Sequence, residues 1–357
     1  MRVLLFSKYS RQGASSRLRS FQFLPMLAQA GIAVEVSPLF DDGYLGQLYD
    51  NQSARGSVAA GLWRRLRRLT ASSRADLIWL EKEALPWTPW PIEGALLRQG
   101  LPIVTDYDDA LFHQYDLHRN PLVRGVLGRK IDRVMRASSL VMAGNSYLAD
   151  RARSAGADRV EIVPTVVDVS AYGMAARPAT AGPAAIGWIG TPLTWKSYMA
   201  PMMPMLARVA RQHDARILAV GAGSSATPDP TLNIFPWSEE KEIGLIQAMD
   251  IGIMPLDDSP WSRGKCGYKL IQYMACGLPV IASPVGVNTD IVVHGVNGFL
   301  AASDEEWKTA LRTLLGDPDL RKRMGSAGRR KVEEDYSVQI WGPRLAQLLK
   351  DTAQCAA

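Results

Sequence analysis

The chain of 357 residues is long enough for two domains of ordinary size, and 47% hydrophobic with 21% charged residues excludes a disordered chain. Its formal charge of +6 points to a partner with negative charge; nucleotide diphosphates, anionic lipid surfaces and nucleic acid all qualify. Three cysteines (Cys266, Cys276, Cys355) and four histidines make neither a disulfide framework nor a Cys/His zinc set.

The first segment, MRVLLFSKYS, has one Arg and an apolar run too short for a secretory signal, and it reads as a strand. No apolar run approaches bilayer-spanning length, so the sequence reads as cytoplasmic. In SSRLRSFQFLPMLAQAG, Leu18, Phe21, Leu24 and Leu27 recur at helical spacing and Gly31 stops the run. The runs IAVEVSPL, ADLIWLEK, LPIVTDYDD, SSLVMAGN and DRVEIVPTVV then read as buried strands separated by helices, which predicts parallel pairing in a doubly wound sheet over residues 1–168. GLWRRLRRLT places Leu62, Leu66 and Leu69 on one helical face with Arg64, Arg65, Arg67 and Arg68 around the rest. With Trp87 and Trp90 of LPWTPW nearby in sequence, it fits either a peripheral contact with an anionic membrane or an ordinary surface helix. No nucleic-acid-binding module or aromatic-interleaved basic sheet is visible.

Residues 169–185, within DVSAYGMAARPATAGPAA, are rich in Ala, Gly and Pro and read as an interdomain linker. The alternation then restarts with AIGWIG, a helix around APMMPMLARVARQ, ARILAVGAG, LNIFPW, a helix SEEKEIGLIQAM, DIGIMPL, and LPVIASP. Residues 186–336 are expected to form a second Rossmann-like domain, and residues 337–357 a helix that could pack back on the first. Two such α/β domains would face each other across a cleft at the carboxyl ends of their strands, where ligands sit in open sheets.

The run KCGYKLIQYMACGLPVIAS is the most informative stretch. Gly267 lets the backbone approach a ligand, and the amides of Gly267, Tyr268 and Lys269 open a helix without internal partners. Arg263, Lys265 and Lys269 add positive charge, so the helix start reads as an anion site, with a solvated surface helix as the alternative.

GWIGTPLTWK, DIGIMPLDDSP followed by GYKLIQYMACGLPVIAS, VVHGVNGFLAA and RKRMGSAGRRKVEEDYS together resemble the nucleotide-sugar-binding domain of GT-B glycosyltransferases of the GT4 family. The resemblance extends from about Ile186 to Leu349. It implies a GT-B fold and retaining transfer of a sugar from a nucleoside-diphosphate donor to a glycan or lipid-linked saccharide in envelope or polysaccharide synthesis, at the inner membrane face, with no metal or cofactor. Four of the family's positions are altered: its Glu-x7-Glu pattern falls on Gly264 and Gln272. The Arg that follows its loop glycine falls on Thr191, and its His after the fourth strand falls near Tyr107 and Asp108.

On this resemblance the donor is held by Gly13, Gly190, Thr191, Lys196, Arg263, Lys265, Gly267, Tyr268 and Lys269, with Gln272 at the ribose. Lys196 and Lys265 meet the charge of the leaving diphosphate. Trp237 and Ser238, at the end of a strand, are placed for the base, and Trp237 is equally a packing residue. Arg17, Arg19, Asp106 and Asp109 are acceptor-holding candidates, against an exposed helix face for the arginines and capping of the next helix by Asp108 or Asp109. Asp108, with Lys196 and Lys265, is a catalytic candidate able to steady positive charge at the anomeric carbon. A nucleotide-sugar 2-epimerase and a non-catalytic nucleotide-sugar-binding subunit stay open as alternatives.

Overall fold

A computed structural model describes residues 1–49, 55–71, 74–97, 100–174, 182–223 and 226–355. The chain divides into two compact units: unit 1 comprises Met1–Thr165, Gly264–Cys266 and Val338–Ala357, and unit 2 comprises Val166–Arg263 and Gly267–Ser337.

Unit 1 is built on six parallel strands: β1 (Arg2–Phe6), β2 (Ala33–Val36), β3 (Leu77–Glu81), β4 (Ile103–Tyr107), β5 (Leu140–Ala143) and β6 (Val160–Ile162). Their order is β2-β1-β3-β4-β5-β6. Every residue of β3, β4 and β5 is buried, as parallel strands covered on both faces require. Order reverses between β1 and β3, so the crevice of this sheet lies beyond their carboxyl ends.

The helix expected after β1 is broken into a helix Ala14–Arg19, a 3-10 turn Phe21–Phe23 and a helix Leu24–Gln29. Ser20 interrupts the run: its hydroxyl donates back to the Ser16 carbonyl, and Pro25 sits in the first turn of the next helix.

The Arg-rich run forms the helix Arg55–Thr70. Arg65 is buried and donates to the carbonyls of Ser7, Ser37 and Ala84. Arg64 pairs with Asp41 and Arg68 with Glu35, while Leu69 is buried and Leu66 exposed. Most of its charge is therefore used inside unit 1. The C-terminal helix, Val338–Gln354, belongs to this unit; at Gly342 a Cβ would fall 2.5 Å from Met26.

Unit 2 has six parallel strands in the order β12-β11-β10-β7-β8-β9. They are β7 (Ala185–Ile189), β8 (Arg216–Val220), β9 (Leu232–Phe235), β10 (Ile251–Met254), β11 (Val280–Ala282) and β12 (Gly298–Leu300). Here the order reverses between β7 and β10. Residues 169–174, expected to be linker, pack instead on unit 2: Val169 and Tyr172 join the core around helix Tyr268–Ala275. Arg329 clamps them by donating to the carbonyls of Val169, Tyr172 and Ala275. The rest of the expected linker, residues 175–181, lies outside the described residues. Among the described residues no helix is long and apolar enough to cross a membrane.

Candidate functional site

In unit 2 the site begins at the end of β7. A Cβ at Gly190 would fall 2.5 Å from the Trp188 ring and 2.7 Å from Thr194 Oγ1, so packing alone demands glycine there. Thr191 then caps the turn Pro192–Thr194 through a reciprocal capping box. Trp195 follows, buried edge-on against Trp188, and Lys196 stands exposed on the next turn.

Helix Tyr268–Ala275 opens on Gly267, which has φ +65 and whose Cβ would lie 2.2 Å from Ile291 Cδ1. Both the left-handed backbone and the close packing exclude a side chain. The N-terminus of this helix carries the positive end of its dipole, which suits an anion. Lys269 extends its ammonium over the Trp188 ring at 4.6 Å. Close by, the buried Asn288 keeps Nδ2 on the Ser283 carbonyl, while its Oδ1 has no partner among the described residues. Ser238 Oγ, beside Trp237 at the end of β9, is likewise buried and without a partner among them.

Gln272 is buried rather than presented openly for a ribose. Its Nε2 donates to Glu242 Oε1 at 2.7 Å and to Tyr172 Oη at 3.1 Å. Trp237 Nε1 donates to the other Glu242 oxygen at 2.5 Å, and the Tyr172 and Tyr268 hydroxyls meet at 3.4 Å. Burial and the Glu242 carboxylate push the Tyr172 hydroxyl well above its usual pKa. Glu242 is the residue missed in the sequence, hidden as the last of several acids in SEEKE; only its place on the inner face of that helix distinguishes it. Arg263 is also placed differently from expectation. It is exposed and holds both Asp258 oxygens, at 2.6 and 2.9 Å, so its charge is already met.

In unit 1, at the ends of β1, β3 and β4, charged side chains converge. Gly13 packs on Tyr9, whose Cβ would be 2.2 Å from an added Cβ, which accounts for the glycine without a phosphate. Ser16 Oγ and the Lys8 amide both donate to Glu81 Oε2, while Glu81 Oε1 is buried without a partner among the described residues. Burial pushes the Glu81 carboxyl up, partly offset by Lys82. Lys82 adopts φ +65, rare for a residue with a side chain, and its ammonium lies 2.7 Å from Asp108 Oδ1 and 3.2 Å from Ser15 Oγ. Burial alone would raise the Asp108 carboxyl, but the Lys82 ammonium brings it down to about 2. Asp109 moves the other way, raised by burial and by Asp108.

Arg19 and Asp106, both expected to hold an acceptor, are turned on each other. Arg19 Nη2 is 2.6 Å and Nε 3.0 Å from the carboxylate, in a pair almost wholly buried, and Nη1 donates to the Val163 carbonyl. Burial raises the Asp106 carboxyl against the pull of Arg19. The pair ties the first helix to β4 and to the chain after β6. Arg17 is buried too, so neither arginine lies on an exposed helix face.

Residues Gly264–Cys266 also fall within unit 1. The Asn145 amide donates to the Gly264 and Lys265 carbonyls at 3.0 Å each, and Cys266 Sγ donates to the Asp108 carbonyl. Lys265 is half-buried and draws the Asp109 carboxyl down. At Gly264 an added Cβ would lie 2.5 Å from Ala110 Cβ and 2.9 Å from its amide nitrogen. The missing first glutamate therefore has a local cause: no side chain fits at 264. Among the described residues no group of three or more His, Cys, Asp or Glu is placed to hold a metal ion.

Residues 183–317 match the family described as Glycosyl transferases group 1. A GDP-mannose-dependent phosphatidylinositol monomannoside mannosyltransferase of Corynebacterium glutamicum is 30% identical over 158 residues, 40% of each chain. The match thus spans about two fifths of that relative's length. A D-inositol 3-phosphate glycosyltransferase of Nocardia farcinica is 24% identical over 336 residues, 73% of each chain. Among solved structures, Anabaena HepE in complex with UDP-glucose superposes with a TM-score of 0.71 at 17% identity, covering 98% of this chain and 100% of that one. Sucrose-phosphate synthase from Thermosynechococcus elongatus gives 0.70 at 15% identity, covering 98% of each. The chain has the two-domain Rossmann-like GT-B fold, and residues 183–317 of its second unit match the group 1 glycosyl transferases.

Proposed function

We propose that the chain transfers a sugar, with retention, from a nucleoside-diphosphate sugar to a glycan or lipid-linked saccharide. The observation that carries this reading is the start of helix Tyr268–Ala275, where Gly267 is forced into the left-handed region and a side chain is excluded. The N-terminus of a helix favours a diphosphate over a neutral ligand. Lys196 and Lys269 supply positive charge in the same unit. The unpartnered Ser238 Oγ and Asn288 Oδ1 are groups a nucleotide would satisfy. The ligands named for the solved relatives, UDP and UDP-glucose, support the donor class.

In the reaction the bond from the anomeric carbon to the diphosphate oxygen breaks as a bond to the acceptor oxygen forms on the same face. The acceptor proton passes to the departing phosphate oxygen, so no protein nucleophile is needed. Negative charge grows on the leaving group, and Lys196 is assigned to stabilise it, with the helix start of the same unit. Asp108, kept ionised by Lys82, is assigned to the acceptor side with Asp109. Gln272 acts indirectly, by fixing Glu242 and Tyr172 next to Trp237.

The test is incubation with UDP- and GDP-sugars and a panel of saccharide acceptors, with the product anomer read by NMR. Transfer with retention is expected, and Lys196→Ala should lower kcat while leaving the melting temperature unchanged. Donor binding with neither hydrolysis nor transfer would mean a binding subunit, and an epimer accumulating from donor alone would mean an epimerase.

A further inference from the structure

We propose that unit 1 docks on a bilayer carrying anionic lipids through the surface formed by Trp87, Leu117, Arg119, Leu122, Arg124 and Val126. The short helix Pro121–Leu127 is apolar on two sides. Val123 and Leu127 pack inward on the cluster that contains Phe112, Tyr115 and Ile131. One turn apart on the outside, Leu122 is 75% exposed and Val126 59%, with Leu117 at 59% just before the helix. Large apolar side chains on a helix are ordinarily covered, and here the outer ones have no cover among the described residues.

The surface is held rigidly. Asn120 caps the helix by accepting from the Leu122 amide, and Arg124 donates to the carbonyls of His118 and Arg119. Trp87 stands edge-on to His118 with ring centroids 5.7 Å apart, and is 49% exposed. Its φ is +62, an outlier for a bulky residue, and its amide is fixed by the Tyr115 hydroxyl. A strained backbone thus holds an indole at the surface, where an amphipathic ring suits the boundary between lipid and water.

Charge selects the partner. From Leu117 to Ile131 the sequence has no Asp or Glu, and Arg119, Arg124 and Arg129 are all exposed. The acids at either edge, Asp116 and Asp132, both pair with Arg151. Among the described residues no ion pair joins the three outer arginines to a carboxylate. That leaves an apolar centre with a positive rim, which complements acidic headgroups. A symmetric contact with a second copy would set arginine against arginine. Helix Arg55–Thr70, although richer in Arg, has spent Arg64 and Arg68 on acids and buried Arg65.

The inference does not rest on sugar transfer, since lipid binding is read without donor or acceptor. The experiment is cosedimentation of the full chain with large vesicles of phosphatidylcholine, with and without phosphatidylglycerol, at low and high salt. Binding is expected only with phosphatidylglycerol, and it should weaken with salt. Arg119→Ala with Arg124→Ala should lower the partition coefficient about 25-fold, roughly fivefold for each charge. Leu122→Ser with Val126→Ser should lower it about tenfold or more. Arg64→Ala, whose charge is already paired, should leave it unchanged. Equal binding to both vesicle types, or to neither, would overturn the proposal. So would a dimer in solution that the Leu122→Ser, Val126→Ser variant abolishes, which would assign the surface to a second copy.

Discussion

Gln272→Glu places a carboxylate against Glu242. The amide Nε2 now lies 2.7 Å from Glu242 Oε1 in a buried site, a hydrogen bond to a charged acceptor of a kind worth about 1.5–3 kcal/mol. Two carboxylates at that distance cannot both ionise, so one must keep a proton. At about pH 7 that costs up to ~3.7 kcal/mol for a group of ordinary glutamate pKa. The retained proton rebuilds one hydrogen bond, so the net loss should be about 2–4 kcal/mol, a fall of roughly 4–16 °C in Tm for a unit of this size. The introduced acid would have a folded-state pKa raised above its unfolded value. Its penalty is therefore full above that raised pKa and shrinks as pH falls toward about 4–5. The exchange Glu242→Gln with Gln272→Glu restores one donor facing one acceptor and should recover most of the loss. Urea unfolding of the single and double variants, near neutral and at mildly acid pH, decides the matter. A Gln272→Glu protein as stable as wild type at neutral pH, or a double variant no better than the single, would refute the pairing.

Gly267→Ala should cost about 2–5 kcal/mol, from the left-handed backbone and the overlap with Ile291, and should also weaken nucleotide binding; denaturation and calorimetry measure the two effects. Gly264→Glu, which introduces the glutamate of the GT4 pattern, should lower Tm through the clash with Ala110 and give no gain in activity; a tolerated, more active variant would contradict the packing. Asp106→Ala, which leaves Arg19 buried without its carboxylate, should cost about 3–5 kcal/mol in urea unfolding. Asp108 has a folded pKa of about 2, below its unfolded value, so its contribution is complete above roughly pH 4 and disappears as pH falls through about 2. The stability gap between wild type and Asp108→Asn should close over that range. Glu81, whose folded pKa is raised, has the opposite sign, so Glu81→Gln should stabilise the protein near neutral pH, as read by Tm.

The alternation of apolar runs with amphipathic ones was enough to read eleven of the strands, because buried parallel strands are apolar throughout and need no partner-specific pattern. The exception, β12, is only Gly298–Leu300, too short to carry a period, and its glycine is required by close approach to the Val280 carbonyl. The helix start at Gly267 was legible because a glycine stands there after a loop and before a periodic run, but its left-handed backbone was not. Side-chain partners were not. Arg19 and Asp106 are 87 residues apart in sequence, and nothing local marks them as a pair. Gln272 read as a ribose contact because its partner Glu242 comes from another helix, where it resembles its solvated neighbours. Lys82 escaped notice since a positive φ leaves no trace in residue type when the residue is not glycine.

The assignment of unit 2 to a nucleoside diphosphate is tested most directly by thermal unfolding across a panel of nucleoside mono- and diphosphates and their sugars. At least one nucleoside diphosphate should raise Tm, by roughly 2.7 kcal/mol of added stability at a hundred times its Kd, and Gly267→Ala should abolish the shift. If no nucleotide raises Tm, the helix start at Gly267 is not a diphosphate site and the proposed donor chemistry is wrong.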